Sequence, residues 1–274
     1  MKKRTQHTLK KNFHRTGVGV HMGVQAKLTV HPAPENTGIV FVRGGEEIPL
    51  LATAVTDTTL CTKLSNAEGT SVQTVEHLLA ALHAMGVDNA RVEIDGPEVP
   101  ILDGSSLPWV EGIQKVGLAR QWAEQQALVV TQKHSITLPS GTATVEPYDG
   151  LYIEIEVTFP LLGTLRGGWE ITPEIFAKEL APARTFCLQR DVEKLKSIGL
   201  LQGGSLACAV VFDDNGQPIN PEGLRFPDEP LRHKVLDAVG DLFMAGKAVR
   251  GKFFIPKPGH GNNNLLLRQL LTLG

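Results

Sequence analysis

The fold can be read outward from one stretch, Ser71-Val-Gln-Thr-Val-Glu-His-Leu-Leu-Ala-Ala-Leu-His-Ala-Met-Gly86. Val75, Leu78, Leu79 and Leu82 recur at i, i+3, i+4 and i+7, the apolar face of a helix, and Gly86 is a natural stop. Before this helix the chain reads as strands. Lys27–Val30 alternates, Ile39–Val42 is a short β-rich run, and His31–Gly38 between them carries turn chemistry. After it, Asn89–Asp95 alternates apolar and charged residues as a strand does, and Asp103-Gly-Ser-Ser106 leads into a second helix over about 107–116. The same grammar then returns. Strands at Ala143–Glu146 and Tyr152–Val157 flank the turn Pro147–Gly150, and a helix near Pro173–Leu180 and a short segment at Asp191–Ser197 follow. Next come an apolar strand at Leu206–Phe212, a strong helix from Glu229 to Ala245, a strand at Lys252–Ile255 and a last helix after Asn264. The polar stretch Gln121–Gln126 reads as the seam, with residues 1–124 and 125–274 as two domains. No residue-level repeat accompanies the repeated order, so a duplicated α+β unit is an expectation from element order alone.

Composition narrows the function classes. The chain has 274 residues, and 27 Lys and Arg against 29 Asp and Glu leave a net charge of −2, which offers no case for a nucleic-acid or polybasic membrane binder. No window approaches the roughly 18 apolar residues of a membrane span, and no apolar run follows the basic start Met1–His7. Three cysteines, an odd number, read as reduced thiols, so a soluble cytoplasmic protein without a membrane anchor is expected. Nine histidines stand out, several beside carboxylates or glycines.

Three segments carry candidate chemistry. In Arg232-His-Lys-Val-Leu-Asp-Ala-Val-Gly-Asp241, His233 and Asp237 are i, i+4 on one helix face, and Asp241 continues the stripe. That spacing presents two ligands to zinc, although a His–Asp hydrogen bond on a solvated face has the same spacing. In Glu76-His77, adjacent helix positions diverge by about 100°, so one can bind a metal while the other takes a proton from water. An exposed polar pair reads the same way. His83, at i+6, faces elsewhere. In Pro258-Gly-His-Gly-Asn-Asn-Asn264, His260 between two glycines suits an accessible loop over an active site, or an ordinary turn. Zinc catalysis needs three protein ligands, an open position and a base, and this set supplies that division.

The wording of these segments goes further. Thr16–Gly23, Ser71–Leu78, Pro100–Ser105, Ala183–Phe186, Gly203–Ser205, Gly223–Phe226, Arg232–Asp237 with Gly240–Leu242, and Gly259–Asn263 occur in this order. Together they closely resemble the UDP-3-O-acyl-N-acetylglucosamine deacetylase family, zinc amidases of lipid A biosynthesis, from about Thr8 to Leu270. The resemblance implies an α+β fold, a two-domain sandwich of similar β-sheet plus paired-helix units, each with a small insert. It implies a Zn2+ cofactor held by His77, His233 and Asp237, with Glu76 as the base. His260, oriented by Asp241, would steady the tetrahedral intermediate or protonate the leaving amine. Thr185 would donate to the oxyanion, Lys234 would meet the nucleotide side of the UDP-linked acylated amino-sugar substrate, and Phe186 would pack near the sugar or uracil. The insert near 187–205 would form the acyl passage, lined by Val192, Leu195, Ile198, Leu200 and Leu201. A monomer is expected. Phe159–Gly168 departs from the form expected of the family, and the C-terminus is expected to stop earlier than in many members. A catalytically silent nucleotide-sugar binder and a zinc peptidase are the alternatives. Glu76 and His260 argue against the first, and Lys234 with the apolar passage against the second.

Overall fold

The computed structural model describes residues 4–273; the basic residues at the very start, up to position 3, and Gly274 lie outside the described residues. Two β-sheets dominate, and they share one topology. In the first, the spatial order is Phe13–Val18, Gln25–Pro32, Ala90–Ile94, Ile39–Arg43, Glu46–Pro49. The strand after the helix, Ala90–Ile94, inserts between two hairpins, antiparallel to Gln25–Pro32 and parallel to Ile39–Arg43. In the second, Ala248–Pro256 inserts between the hairpins His134–Leu138/Gly141–Glu146 and Leu151–Phe159/Gly163–Glu170. It too runs antiparallel to the first hairpin and parallel to the second. Each sheet therefore buries one face. In Ala90–Ile94 the residues Ala90, Val92 and Ile94 point inward while Arg91 and Glu93 stay exposed, as a half-buried strand requires.

Among the described residues six α-helices accompany the sheets: α1 (Glu76–Ala84), α2 (Leu107–Val116), α3 (Pro173–Ile175), α4 (Gln189–Ser197), α5 (Glu229–Leu242) and α6 (His260–Leu273). Helix α2 has Pro108 in its first turn and ends at Gly117 with φ +75°, the usual asymmetry of helix ends. The pairs α1/α2 and α5/α6 pack within themselves, and α1 packs lengthwise on α5 between the two sheets. One continuous core of apolar residues runs from Leu28 and Phe41 through Leu78, Leu79, Val235 and Val239 to Phe253 and Ile255. The layered α+β architecture follows from that shared burial. Two small inserts flank the helix pair. One is a three-stranded sheet of Val55–Asp57, Lys63–Ser65 and Ser71–Gln73. In the other, Phe186–Leu188 pairs in parallel with Val210–Phe212 and α4 follows the first of these strands.

Several elements differ from the sequence expectation. Ser71–Gln73 is a strand because its alternating Ser-Val-Gln pairs with Lys63–Ser65, and α1 starts only at Glu76 after Thr74 takes φ +59°. The polar stretch around Gln121 is no linker: Leu118–Glu124 pairs with Thr5–Leu9, with Arg120, Trp122 and Glu124 on the wetter face and Gln121 turned inward to Asn89 and the Ala33 carbonyl. Only Val210–Phe212 of the expected Leu206–Phe212 strand is extended, because Cys208 N–H bonds to the Ser205 carbonyl in a turn. The last helix begins at His260, where Asn263 N–H already bonds to the Gly259 carbonyl.

Candidate metal centre and active site

The site is built where α1 meets α5. Gly240 makes the contact possible: a Cβ there would run into the carbonyl oxygen of Glu76, so only a bare Cα lets the two backbones approach this closely. The first turn of α1 presents Glu76 and His77 to the face of α5 that carries His233, Asp237 and Asp241, and all five are buried. His233 Nε2 lies 3.3 Å and His77 Nε2 3.6 Å from Asp237 Oδ1, and the two imidazoles meet edge to face with centroids 4.9 Å apart. These three residues offer ligand atoms that all lie within 4.8 Å of one another.

The donor chemistry fits a zinc ion. Ligands at zinc distances of about 2.0–2.1 Å in a tetrahedron stand roughly 3.3 Å apart, close to the separations above. Asp237 Oδ1 is buried without a hydrogen-bond partner, a cost that a cation between it and the imidazoles would remove. The other ring nitrogen of His233, Nδ1, is 3.0 Å from the Ala183 carbonyl and donates to it, which leaves the Nε2 lone pair free for a metal. Protonation states agree. Burial pushes the His233 imidazole down to about 4. Burial opposes the Asp237 charge, but His233 and Lys234 outweigh it and hold the carboxyl well below its ordinary range. Both groups are thus in their metal-binding forms at neutral pH.

Beside this cluster stand a carboxylate and an imidazole of opposite character. Glu76 Oε2 accepts the Thr62 N–H at 3.0 Å, and burial pushes the carboxyl above its usual range against the pull of His260 and His77. His260 Nε2 lies 3.9 Å from Glu76 Oε1, and its Nδ1–H bonds to Asp241 Oδ2 at 2.9 Å. Burial disfavours the imidazolium, yet the charges of Asp241 and then Glu76 overcome it and raise His260 to about 10. Asp241 is itself fixed by the Thr62 hydroxyl at 2.9 Å and the Asn263 amide at 2.8 Å. A base and an acid therefore face each other next to the candidate ligands.

Glu76, His77, His233, Asp237 and His260 open into one cavity of about 910 Å³, whereas Asp241, Thr62 and Asn263 do not line it. Thr185, Phe186 and Lys234 line its wall near His233, and Val192, Leu195 and Leu201 line it on the side of the second insert. Thr185 is held by its own N–H to the Gly104 carbonyl and by Val210 N–H to its carbonyl. Lys234 Nζ donates to Asp237 Oδ2 at 2.9 Å and lies over the Phe186 ring, so the cation serves the Asp237 carboxylate from the cavity wall. Two expectations for the passage fail: Ile198 is 65% exposed at the far side of its turn, and Leu200 is not on the wall. Two for the histidines change as well. Glu76 and His77 are no exposed pair, and His260 is buried at the first residue of α6 rather than displayed on an open loop. His83 does face elsewhere, stacked on Phe243 and bonded to Val239 and Val249 backbone atoms.

Sequence reasoning did not find Thr62, which bridges Glu76 and Asp241, because a lone threonine in a polar stretch carries no spacing signal. Asn263 was legible only as one of three consecutive asparagines.

Comparison with known proteins accords with this geometry. The chain matches the family model described as LpxC, UDP-3-O-acyl N-acetylglycosamine deacetylase, over residues 6–272. It is 45% identical over 271 residues to the UDP-3-O-acyl-N-acetylglucosamine deacetylase of Anaeromyxobacter dehalogenans (strain 2CP-C), covering 97% of this chain and 87% of the relative. Identity to the protein of the same name from Mannheimia succiniciproducens is 44% over 275 residues, covering 97% and 90%. For Shewanella sediminis it is 41% over 277 residues, with the same coverage of 97% and 90%. With a match that spans both sheets, both inserts and every residue around the α1–α5 junction, the chain belongs to the UDP-3-O-acyl N-acetylglycosamine deacetylase family.

Proposed function

We propose that this protein hydrolyses the 2-acetamido group of UDP-3-O-acyl-N-acetylglucosamine to UDP-3-O-acyl-glucosamine and acetate, the committed step of lipid A biosynthesis. The observation that carries the reading is the junction itself: a buried His77–His233–Asp237 cluster with Glu76 and His260 beside it, lining a cavity to which the second insert contributes Val192, Leu195 and Leu201. His77, His233 and Asp237 would hold Zn2+. When bound, the ion polarises the acetyl carbonyl and lowers the pKa of water beside it.

Glu76, its carboxyl pushed up by burial, takes the proton of the attacking water through the oxygen that faces His260. His260, charged at neutral pH, holds its proton at Nε2 because Nδ1–H is already given to Asp241. It stabilises the developing negative charge and then protonates the leaving amine. The Thr185 hydroxyl donates toward the same oxyanion, and Lys234 adds positive charge at the nucleotide side. Phe186 packs against the sugar or uracil, and Val192 and Leu201 line the passage for the acyl chain. We place the division between the two domains at 124/125, supported by Leu118–Glu124 pairing with Thr5–Leu9 while Ala127–Val129 pairs with Ala248–Pro256. We place the protein in the cytoplasm as a monomer, a location that suits its three free cysteines; among the described residues no helix is long and apolar enough to cross a membrane.

The direct test incubates purified protein with UDP-3-O-acyl-N-acetylglucosamine and measures acetate and free amine. Equal release of both, lost on chelation and restored by zinc, is expected. Substrate binding without acetate release would leave a binding protein in place of an enzyme.

A further inference from the structure

Behind His233 lies a buried ion pair that the reaction does not use. Arg184 is 2% exposed and Glu229 0%, and neither lines the cavity. The Arg184 guanidinium donates from Nε to Glu229 Oε1 at 2.9 Å and from Nη2 to Glu229 Oε2 at 3.2 Å, a fork on one carboxylate. Its own backbone N–H also donates to Glu229 Oε1 at 2.9 Å. The remaining donors reach Glu222 at 2.5 Å and the Gly223 carbonyl at 2.7 Å. Glu229 Oε2 additionally accepts the Arg225 N–H at 2.7 Å.

The two neighbours of Arg184 are both site residues. Ala183 gives its carbonyl to His233 Nδ1, and Thr185 lines the cavity. Glu229 is the first residue of α5, one turn before His233. The fork therefore ties the irregular segment that offers the carbonyl, just before the strand Phe186–Leu188, to the helix that carries the imidazole. We propose that the Arg184–Glu229 pair is a positioning device that fixes the distance between the Ala183 carbonyl and His233, and through it the ring plane and the Nδ1–H tautomer of the metal-ligating imidazole. This rests on the reading of His233 as a ligand. A ligating imidazole can bind through Nε2 only while Nδ1 carries the proton, so a carbonyl that drifts away lets the wrong tautomer form. Salt-bridge geometry matters more here than charge alone. Lysine at position 184 would keep the charge yet lose the fork.

The test uses three full-length variants: Glu229→Gln, Arg184→Lys, and the apolar pair Arg184→Met/Glu229→Leu, which removes both charges together and so avoids stranding one. Zinc affinity is read by competition with a chelator, and the His233 tautomer by ¹⁵N NMR of the imidazole in metal-free protein. Outer-shell partners of metal ligands typically hold about 10–100-fold in affinity. A loss in that range is expected in every variant that unfolds cooperatively, with a falling share of the Nδ1–H form and KM changed less than kcat. If the apolar pair regains wild-type thermal stability and also wild-type zinc affinity and tautomer, the pair is merely structural and the proposal fails. Wild-type protein that binds no zinc would overturn the metal site itself, and the positioning role with it. Zinc binding without acetate release would overturn only the substrate assignment.

Discussion

Asp241→Asn isolates what sets the acid form of His260. The wild-type carboxylate accepts His260 Nδ1–H at 2.9 Å, the Asn263 amide at 2.8 Å and the Thr62 hydroxyl at 2.9 Å. Asparagine keeps the volume and removes the charge. Burial then acts on the imidazolium with only the charges of Glu76 and Asp237 against it, so the His260 pKa should fall from about 10 to its ordinary value near 6.5 or below. At pH 8 a group with pKa 10 is almost wholly protonated, whereas one at 6.5 keeps about 3% of its acid form, roughly a thirtyfold loss. The same shift is a stability statement. A histidine raised on folding stabilises the native state fully below about pH 6.5, and that contribution is lost as pH rises toward 10. The whole span is of order 5 kcal/mol, and about 3 kcal/mol of it remains at pH 8 in metal-free wild type. In the variant, stability should be flat over this range. Titration of His260 by NMR in metal-free protein reads the first quantity, and urea unfolding at pH 6, 8 and 9.5 the second. A bound zinc ion would lower both enzymes' values together, so the alkaline limb of acetate release should still move to lower pH in the variant. If His260 in Asp241→Asn titrates where wild type does, or the alkaline limb stays in place, the assigned cause is wrong.

Two further outcomes follow from the junction. Glu76→Gln keeps the Thr62 contact and removes no ligand, so zinc content by elemental analysis should stay at wild type while kcat falls about 10²–10⁴-fold; a parallel loss of zinc contradicts its role as base. Gly240→Ala places a methyl against the Glu76 carbonyl, so α1 and α5 must separate. Stability should drop about 1–3 kcal/mol or more by urea unfolding, and zinc affinity should drop with it. Wild-type affinity in that variant would show that the helix spacing does not set the ligand distances.

Most of the fold is legible because its signals are local. Val75, Leu78, Leu79 and Leu82 announce α1, and the alternation in Ala90–Ile94 announces its strand. The same rules misread Ser71–Gln73, since three alternating residues are too few to outvote the helical period that follows them. They also misread Leu118–Glu124, a strand whose polar face looks like a linker until Thr5–Leu9 pairs with it. The i, i+4 pair of His233 and Asp237 is legible for the same reason as α1. What stays hidden is everything fixed by contact across the chain: the reach of Thr62 to Asp241, 179 positions away, and the fork from Arg184 to Glu229. Burial is hidden too, and it matters most for His260. Two flanking glycines suggested an accessible loop or an ordinary turn, whereas α6 buries the ring against Asp241 and Glu76, whose charges reverse the effect of burial and raise it to about 10.

That reversal bears on why the site draws on both halves of the chain. The base has to gain proton affinity while the acid has to keep its proton at neutral pH: the carboxyl rises and the imidazole stays charged. Neither half achieves this alone. The first supplies Glu76 and His77 on α1 and the Thr62 hydroxyl, and the second supplies Asp241 on α5 and His260 on α6. Burying Glu76 against the second half raises it, and placing His260 between Asp241 and Glu76 keeps it protonated. The event that produces both is the close approach of two helices at Gly240, which also brings His77 to within 3.6 Å of Asp237. A single glycine contact thus couples helix packing, ligand geometry and proton affinity, so disturbing it should impair all three in proportion.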